Sequence, residues 1–385
     1  MGAKPSRRTL AEQADRTTRT LERDTIASLR PLFRQPAKYG NLVIDLDDAD
    51  STQQDFSDTI EASLSRSEWA TLKNLSDLTH TTPGEDAIQL TRWARHRIVY
   101  TIDPDTAAAI IATDWSDTVI PGDVLRRLPH PDPLIILPEP ITWMSTDGTL
   151  ERYEAFGVFG VRGPRRRCSS HHPDATHLVL HFFGHICDPV TGQPAVASVP
   201  AADGSSHTVR PIVGMRAITP LTDATMTTRQ QIAITDMRNA GPSAMYGFAT
   251  RSEADDGIAR MTETGLAILT YLVSDDIDTR RTIVPTSPKR RTRNQPDPDQ
   301  TPAHVYEVGY TVGAALRAAH HTGTGTGTPP TPDGTGRTVA PHIRRAHLHT
   351  FRRGPGHSER FIKWLPPIPV ATGGASPART QVHLP

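Results

Sequence analysis

Along THLVLHFFGHIC (176–187) the apolar and polar positions alternate. Leu178, Leu180, Phe182 and Ile186 fall on one side, and His177, His181 and His185 on the other. A period of two with this split predicts a β-strand whose one face is packed and whose other face is wet or functional. ERYEAFGVFGV (151–161) is the second clear strand. PLIILPEPI (133–141), an apolar run between prolines, predicts a short buried strand. NLVIDLDDAD (41–50) reads as a short strand entering an acidic turn; DLDDAD lacks the Gly and terminal Glu of a calcium loop.

Elsewhere the spacing is helical. Residues 8–34 are mostly polar, with Leu21, Ile26, Leu29 and Leu32 near a helical repeat. Between 56 and 98, Trp69, Leu72 and Leu75 share a face, and Leu90 and Trp93 belong to a second helical stretch. Asp103 is placed to cap a helix opened by Pro104 and built on Ala107 to Ala112. A short helix follows from Pro121 to near Pro129, and 223–236 also has a helical pattern. GIARMTETGLAILTYLV (257–273) is the most apolar helix and is expected to cross the core; Tyr306 to His320 read as another. Together these elements predict an α+β fold. It has a helical N-terminal part, a mixed or antiparallel central sheet around 134–187 with packed helices, and a C-terminal basic β-hairpin.

Composition changes the picture at the margins. Hydrophobic residues make up only 36% of 385, with 34 prolines and 27 glycines, which points to a core diluted by flexible segments. The expected layout is a polar helical segment (1–40) and a core domain (41–320). A Gly/Thr/Pro-rich tether (321–338), a basic hairpin motif (339–370) and a disordered tail (371–385) follow. PTSPKRRTRNQPDPDQTP (285–302) is an expected loop within the core. With 42 basic and 42 acidic residues the chain has no overall field toward nucleic acid or membrane, so electrostatic targeting must be local. The start has no apolar secretory stretch and no run is long enough to span a bilayer, so a cytoplasmic protein without a membrane partner is expected.

The local asymmetry sits near the end, in PHIRRAHLHTFRRG (341–354), with four arginines and three histidines in fourteen positions. Residues 342–352 and 360–365 predict two strands joined through Gly354-Pro355-Gly356. Between 337 and 363 there are seven basic residues and one acid, Glu359. Arg345, His347, His349, Phe351 and Arg353 fall on one face of the first strand; His342, Arg344, Ala346, Leu348 and Arg352 fall on the other. The return strand brings Lys363 and Trp364 alongside.

Four uses fit this pattern. Arginines with nearby aromatics suit phosphate contacts and base stacking on single-stranded RNA. His347 and His349, with Arg345 and Lys363 as cations, have the chemistry for metal-independent RNA cleavage. An HxH pair supplies two metal ligands, too few alone. An exposed edge hairpin carrying arginine for solubility is the plain alternative.

The other chemical cluster is Cys168 and Cys187 with His171, His172, His177, His181 and His185 between them. Cys168, His171, His185 and Cys187 are its candidate metal ligands, although their spacing matches no zinc module. Two cysteines make no disulfide framework. RGPRRRCSSHH (162–172) is a second basic loop. No P-loop, GxGxxG, GxSxG or HExxH occurs, so nucleotide hydrolysis, hydride transfer, serine hydrolysis and zinc proteolysis have no support, and no cofactor is expected.

PHIRRAHLHTFRRG…RFIKWLPPIPV resembles the C-terminal signature of a family of mostly uncharacterised proteins from phages, plasmids and bacterial chromosomes, which includes a type V-A anti-CRISPR protein. The resemblance rests on Pro341, His342, Ile343, Arg344, Arg345, His347, His349, Gly354, Lys363 and Trp364. Residues 102–137 and the helix ending in YLVSDDIDTR (271–280) are similar to two further blocks of that family, in the same order. Where the family commonly has Gly-His-Trp-His followed by an aromatic pair, this chain has Ala346, Leu348 and Phe351, with arginines at 352 and 353. Loss of the tryptophan weakens a base-stacking reading, while both histidines and both arginines keep the polar chemistry. The resemblance implies a regulatory protein rather than a metabolic enzyme. Its anti-CRISPR member is understood to engage the effector nuclease during translation and to cause loss of its mRNA. The implied partners are therefore RNA or a ribosome-associated nascent chain, with the protein target unassigned.

Overall fold

The computed structural model describes residues 7–29, 89, 90, 93, 96–113, 122–144, 149–161, 177–200, 206–210, 212–221, 236–239, 251–275, 277–282, 303–323, 342–344 and 346–370. The expectations for 41–50, for Trp69, Leu72 and Leu75, for the helix before Asp236, for 162–172 and for 285–302 lie outside them. So do those for the 324–338 part of the tether and for the 371–385 tail.

The architecture is α+β, as the periodicity predicted. Its centre is a mixed eight-stranded sheet in the order β8-β7-β4-β3-β2-β1-β10-β9. These strands are β1 (Ile98–Ile102), β2 (Leu134–Met144), β3 (Leu150–Val161), β4 (His177–Cys187), β7 (Ile212–Pro220), β8 (Asp236–Asn239), β9 (Thr279–Thr282) and β10 (His304–Val308). A separate ribbon pairs β5 (Ala197–Pro200) with β6 (Ser206–Val209). β1 runs parallel to both β2 and β10, and the outer pairings are antiparallel.

Five helices are defined among the described residues: α1 (Arg7–Leu29), α2 (Pro104–Ile111), α3 (Gly122–Leu125), α4 (Arg251–Leu272) and α5 (Tyr310–Gly323). None is long and apolar enough to cross a membrane. Both faces of the sheet are covered. On one, Ile98, Tyr100 and Ile102 of β1 join Phe156, Leu180, Phe182 and the apolar side of α4. On the other, Val99, Leu134, Ala155, Phe159 and Phe183 meet Ala11, Ala14 and Leu21 of α1, together with Leu90 and Trp93.

Double coverage changes the reading of β4. Its histidine side is not wet: His181 and His185 are 0% and 1% exposed, because α1 lies over them. His181 packs its ring against Phe183, with centroids 4.5 Å apart. β2 is longer than the prolines suggested and passes through Pro138 and Pro140. Its pairing with β3 shifts between Ile136 and Ile141, while β1 accompanies it only over Leu134–Ile136. Pro138 and Pro140 therefore sit at an irregularity, past the stretch where β1 would need their missing N–H groups.

The expected helix from Tyr306 is instead a strand and then a helix. His304–Val308 pairs with β1, Gly309 turns at φ 74°, and α5 begins at Tyr310. Asp103 caps α2, accepting from the Asp105 and Thr106 amides at 3.0 and 3.2 Å. Arg317 of α5 donates to the same carboxylate at 2.9 Å and to that of Asp105. A side chain at Gly313 would collide with the Asp103 carboxylate, so glycine lets α5 approach this cap.

The C-terminal hairpin does not stand apart from the core. β12 (His347–Arg353) and β13 (Glu359–Leu365) form a two-stranded antiparallel unit, and Ala346, Ile362 and Trp364 belong to the main hydrophobic cluster. β11 (His342–Arg344) is separate from it and pairs with β14 (Ile368–Val370).

Candidate nucleic-acid interface

Register alone sorts the hairpin side chains. β12 and β13 pair His347 with Leu365, His349 with Lys363, Phe351 with Phe361 and Arg353 with Glu359. Directly opposed residues share a face, so these four pairs make one row, and the alternate set with Ile362 and Trp364 makes the other. The second face is apolar at its centre and turns inward. Ile362 is fully buried, and Trp364 stands edge-on to Tyr271 of α4 with ring centroids 5.1 Å apart. The Trp364 indole N–H donates to Thr113 Oγ1 at 3.4 Å, just past α2. The Asp275 amide donates to the Ile362 carbonyl at 3.0 Å, tying β13 to the end of α4.

The turn needs left-handed backbone. Gly354 and Gly356 have φ of 79° and 65°, and His357 follows at 55°. Pro355–His357 forms one 3-10 turn, with Gly354 just before it and Gly356 within it. Glycine supplies those angles without the strain a side chain would add.

The outward face is a line of rings. The His349 imidazole lies 4.2 Å from the Phe351 ring, and Phe351 stacks on Phe361 at 5.2 Å and 17°. The Arg353 guanidinium sits 5.0 Å above Phe361 and closes the line at the turn. The same guanidinium donates to Asp275 at 2.8 Å and to Glu359 at 3.3 Å. Its charge is therefore engaged by two carboxylates. Lys363, opposite His349 and half-buried, brings a cation to the same face.

The residues proposed from sequence thus separate. His347, His349, Phe351, Arg353 and Lys363 are brought together on one face. Arg352 is exposed on the other strand face near the turn. Trp364 is a core residue, 5% exposed, and is not beside the histidines. His342 and Arg344 lie in β11, paired to β14 rather than to β13, and Arg345 lies outside the described residues. Phe361 was not among the sequence candidates. Its parity with Lys363 in RFIKWL was the signal that would have found it.

The cysteine–histidine cluster does not assemble as a site among the described residues; Cys168 and His171 lie outside them. His185 Nε2 meets Asp24 Oδ2 of α1 at 3.3 Å, and its Nδ1 is 3.8 Å from Glu154 of β3. Asp24 also receives Arg23 at 2.7 Å. Burial pushes the Asp24 carboxyl up, but hydrogen bonds from His185 and Arg23 prevail and hold it below its ordinary value. Burial raises the Cys187 thiol, with Arg152 opposing the shift. No group of three or more His, Cys, Asp or Glu among the described residues is arranged to hold a metal ion.

The sequence matches a family model described as AcrVA2-like, anti-CRISPR type V subtype A2, over residues 100–372. That span runs from β1 through the hairpin and β14 and leaves α1 outside. Among solved structures, the chain is similar to one described as "Crystal structure of AcrVA2". Identity is 14%, the TM-score 0.35, and 94% of this chain and 97% of that one are covered. No curated protein matches.

Proposed function

Because the chain belongs to the AcrVA2-like, anti-CRISPR type V subtype A2 family, we propose that it is a regulatory protein of the phage and plasmid type. It lowers expression of a target by engaging RNA at the translating ribosome through its C-terminal hairpin. The observation that carries this reading is the outward row His349–Phe351–Phe361 with Lys363 beside it, on a hairpin fixed to the core. Aromatic and cationic groups on one sheet face suit single-stranded RNA, whose bases are open to stacking and whose phosphates follow the strand. The neutral charge of the whole chain fits a contact confined to one patch.

A second reading has its own observation. His347 and His349 share the face that carries Lys363. Alternate positions on a strand are about 6.5–7 Å apart. That spacing suits one imidazole on either side of a phosphodiester, as acid and base, for cleavage without metal.

The test uses the purified full chain, a metal-free RNA cleavage assay and RNA binding across salt. Binding without cleavage, weakened in Lys363→Gln and in Arg344→Ala with Arg345→Ala, supports the binding surface. Cleavage lost in His347→Ala or His349→Ala moves the assignment to a ribonuclease. Neither activity, with retention of a nascent-chain protein from a translating extract, makes the hairpin a protein-binding module and overturns both.

A further inference from the structure

We propose that the outer hairpin face holds unpaired RNA bases by stacking, and that Arg353 braces this face instead of gripping phosphate. The proposal rests on the RNA reading above and specifies how the strand is held. Three observations carry it. The rings of His349, Phe351 and Phe361 form one continuous line across two strands, at 4.2 and 5.2 Å between centroids. The line is partly open to solvent, with His349 exposed and both phenylalanines half-buried. Arg353 lies over Phe361 and is bonded to both Asp275 and Glu359.

Each observation selects against other ligands. A duplex offers phosphates and groove edges but keeps its bases stacked on each other, so it cannot use the rings. An isolated phosphate would make no use of the ring row, and Arg353, whose guanidinium lies over Phe361, already has its charge balanced by two carboxylates. An unpaired strand uses what is here: π faces for its bases and Lys363 for its backbone. Every base has a π face, so the platform is tolerant of sequence.

Arg353 then acts as a positioning residue. Its bridge to Asp275 ties the turn end of β12 to the residue that also binds the Ile362 carbonyl. Its guanidinium covers one end of the ring row, leaving the Phe351 and His349 end for the bases.

The experiment measures binding of the full chain to eight-nucleotide oligouridine and oligoadenosine, and to a duplex of equal length, by fluorescence anisotropy across salt. Phe351→Leu and Phe361→Leu keep the apolar contacts of the hairpin while removing the rings, and circular dichroism confirms that both remain folded. The expected result is preference for the single strands and a loss of about 5- to 100-fold for each leucine variant, without change in salt slope. Lys363→Gln lowers the slope by about 0.7, the value for one phosphate contact on a single strand; Arg353→Gln weakens binding but leaves the slope as it was. Leucine variants that bind like the wild type, or equal binding of duplex, overturn stacking and leave an RNA-binding protein of another mode. A drop of about 0.7 in slope for Arg353→Gln overturns its bracing role. A wild-type chain that binds neither oligonucleotide overturns the RNA reading itself, and this proposal with it.

Discussion

Replacing Trp364 by alanine sets the two roles open to this residue against each other. On an RNA-contacting surface, its loss would reduce affinity and spare the fold. The structure puts it in the core, 5% exposed, edge-on to Tyr271 and hydrogen-bonded to Thr113. Truncating a buried tryptophan costs about 3–5 kcal/mol in transfer and cavity terms. Edge-to-face packing on Tyr271 accounts for roughly 0.5–1.5 kcal/mol within that range. The 3.4 Å hydrogen bond is long and adds little. With a urea m-value of about 2.5 kcal/mol/M, a loss of about 4 kcal/mol lowers the unfolding midpoint by roughly 1.6 M. Trp364→Phe retains a ring against Tyr271 and should lose less than half as much. Urea unfolding followed by circular dichroism reads both variants, and RNA binding is measured well below either midpoint. A Trp364→Ala protein with an unchanged midpoint and weakened RNA binding would refute the core assignment.

Acid should loosen α1 from the sheet. The folded-state pKa of Asp24 is depressed, so its stabilisation is complete above the unfolded value of about 3.9 and disappears as pH falls through the lower folded value. Hydrogen exchange corrected for intrinsic rates should show α1 protection falling below about pH 4 in the wild type and far less so in Asp24→Asn; equal profiles would sink the linkage. Asp103→Ala removes the α2 cap and an Arg317 partner, for a loss of about 2 kcal/mol, whereas Asp103→Asn keeps an acceptor for the cap and loses about half that. Thermal melts that rank the two variants equal would show that the cap contributes nothing. In a Cys168→Ser background, Cys187 should resist an aromatic disulfide reagent in the native state and react on unfolding, since burial hides it and keeps it protonated. Rapid native labelling would contradict its placement.

Some of this was legible because one periodicity dominated locally. β3 and β4 are long enough for alternation to show, and Asp103-Pro104 spells a helix start in two residues. The central parallel strands were opaque for a physical reason. IVYTI is buried on every residue, and HVYEV is buried on both faces, so neither alternates in polarity as a one-sided strand does. Without alternation, HVYEV merged into the helical pattern after it, and the break at Gly309 went unread. The pairing of β1 with β10 joins residues roughly two hundred positions apart, which no local pattern encodes. β4 shows the complementary failure: alternation revealed the strand but not what covers its histidine face. That cover is α1, whose contact residues include Ala11, Ala14, Thr18 and Asp24, too small and polar to announce a buried side.

In the hairpin, the alternation of RFIKWL fixes which residues travel together, but both faces carry aromatics, so composition cannot say which face turns inward. Packing decides it. The face of Ile362 and Trp364 carries charge only at its turn end, in Arg352 and Arg360, whereas the other face would bury Lys363 in mid-strand as well as the Arg353–Glu359 pair. Burying that face would require desolvating charges, and burying Ile362 alone contributes about 1.5–3 kcal/mol in the observed orientation. The hydrophobic anchor therefore chooses the outward face by exclusion. It also makes that face rigid, since an isolated two-stranded hairpin is marginal in water and this one is held by core residues and by Asp275. Rings already aligned before a ligand arrives lose little further entropy on binding, so the binding proposed for this row of three would cost less ordering than binding by a flexible basic tail.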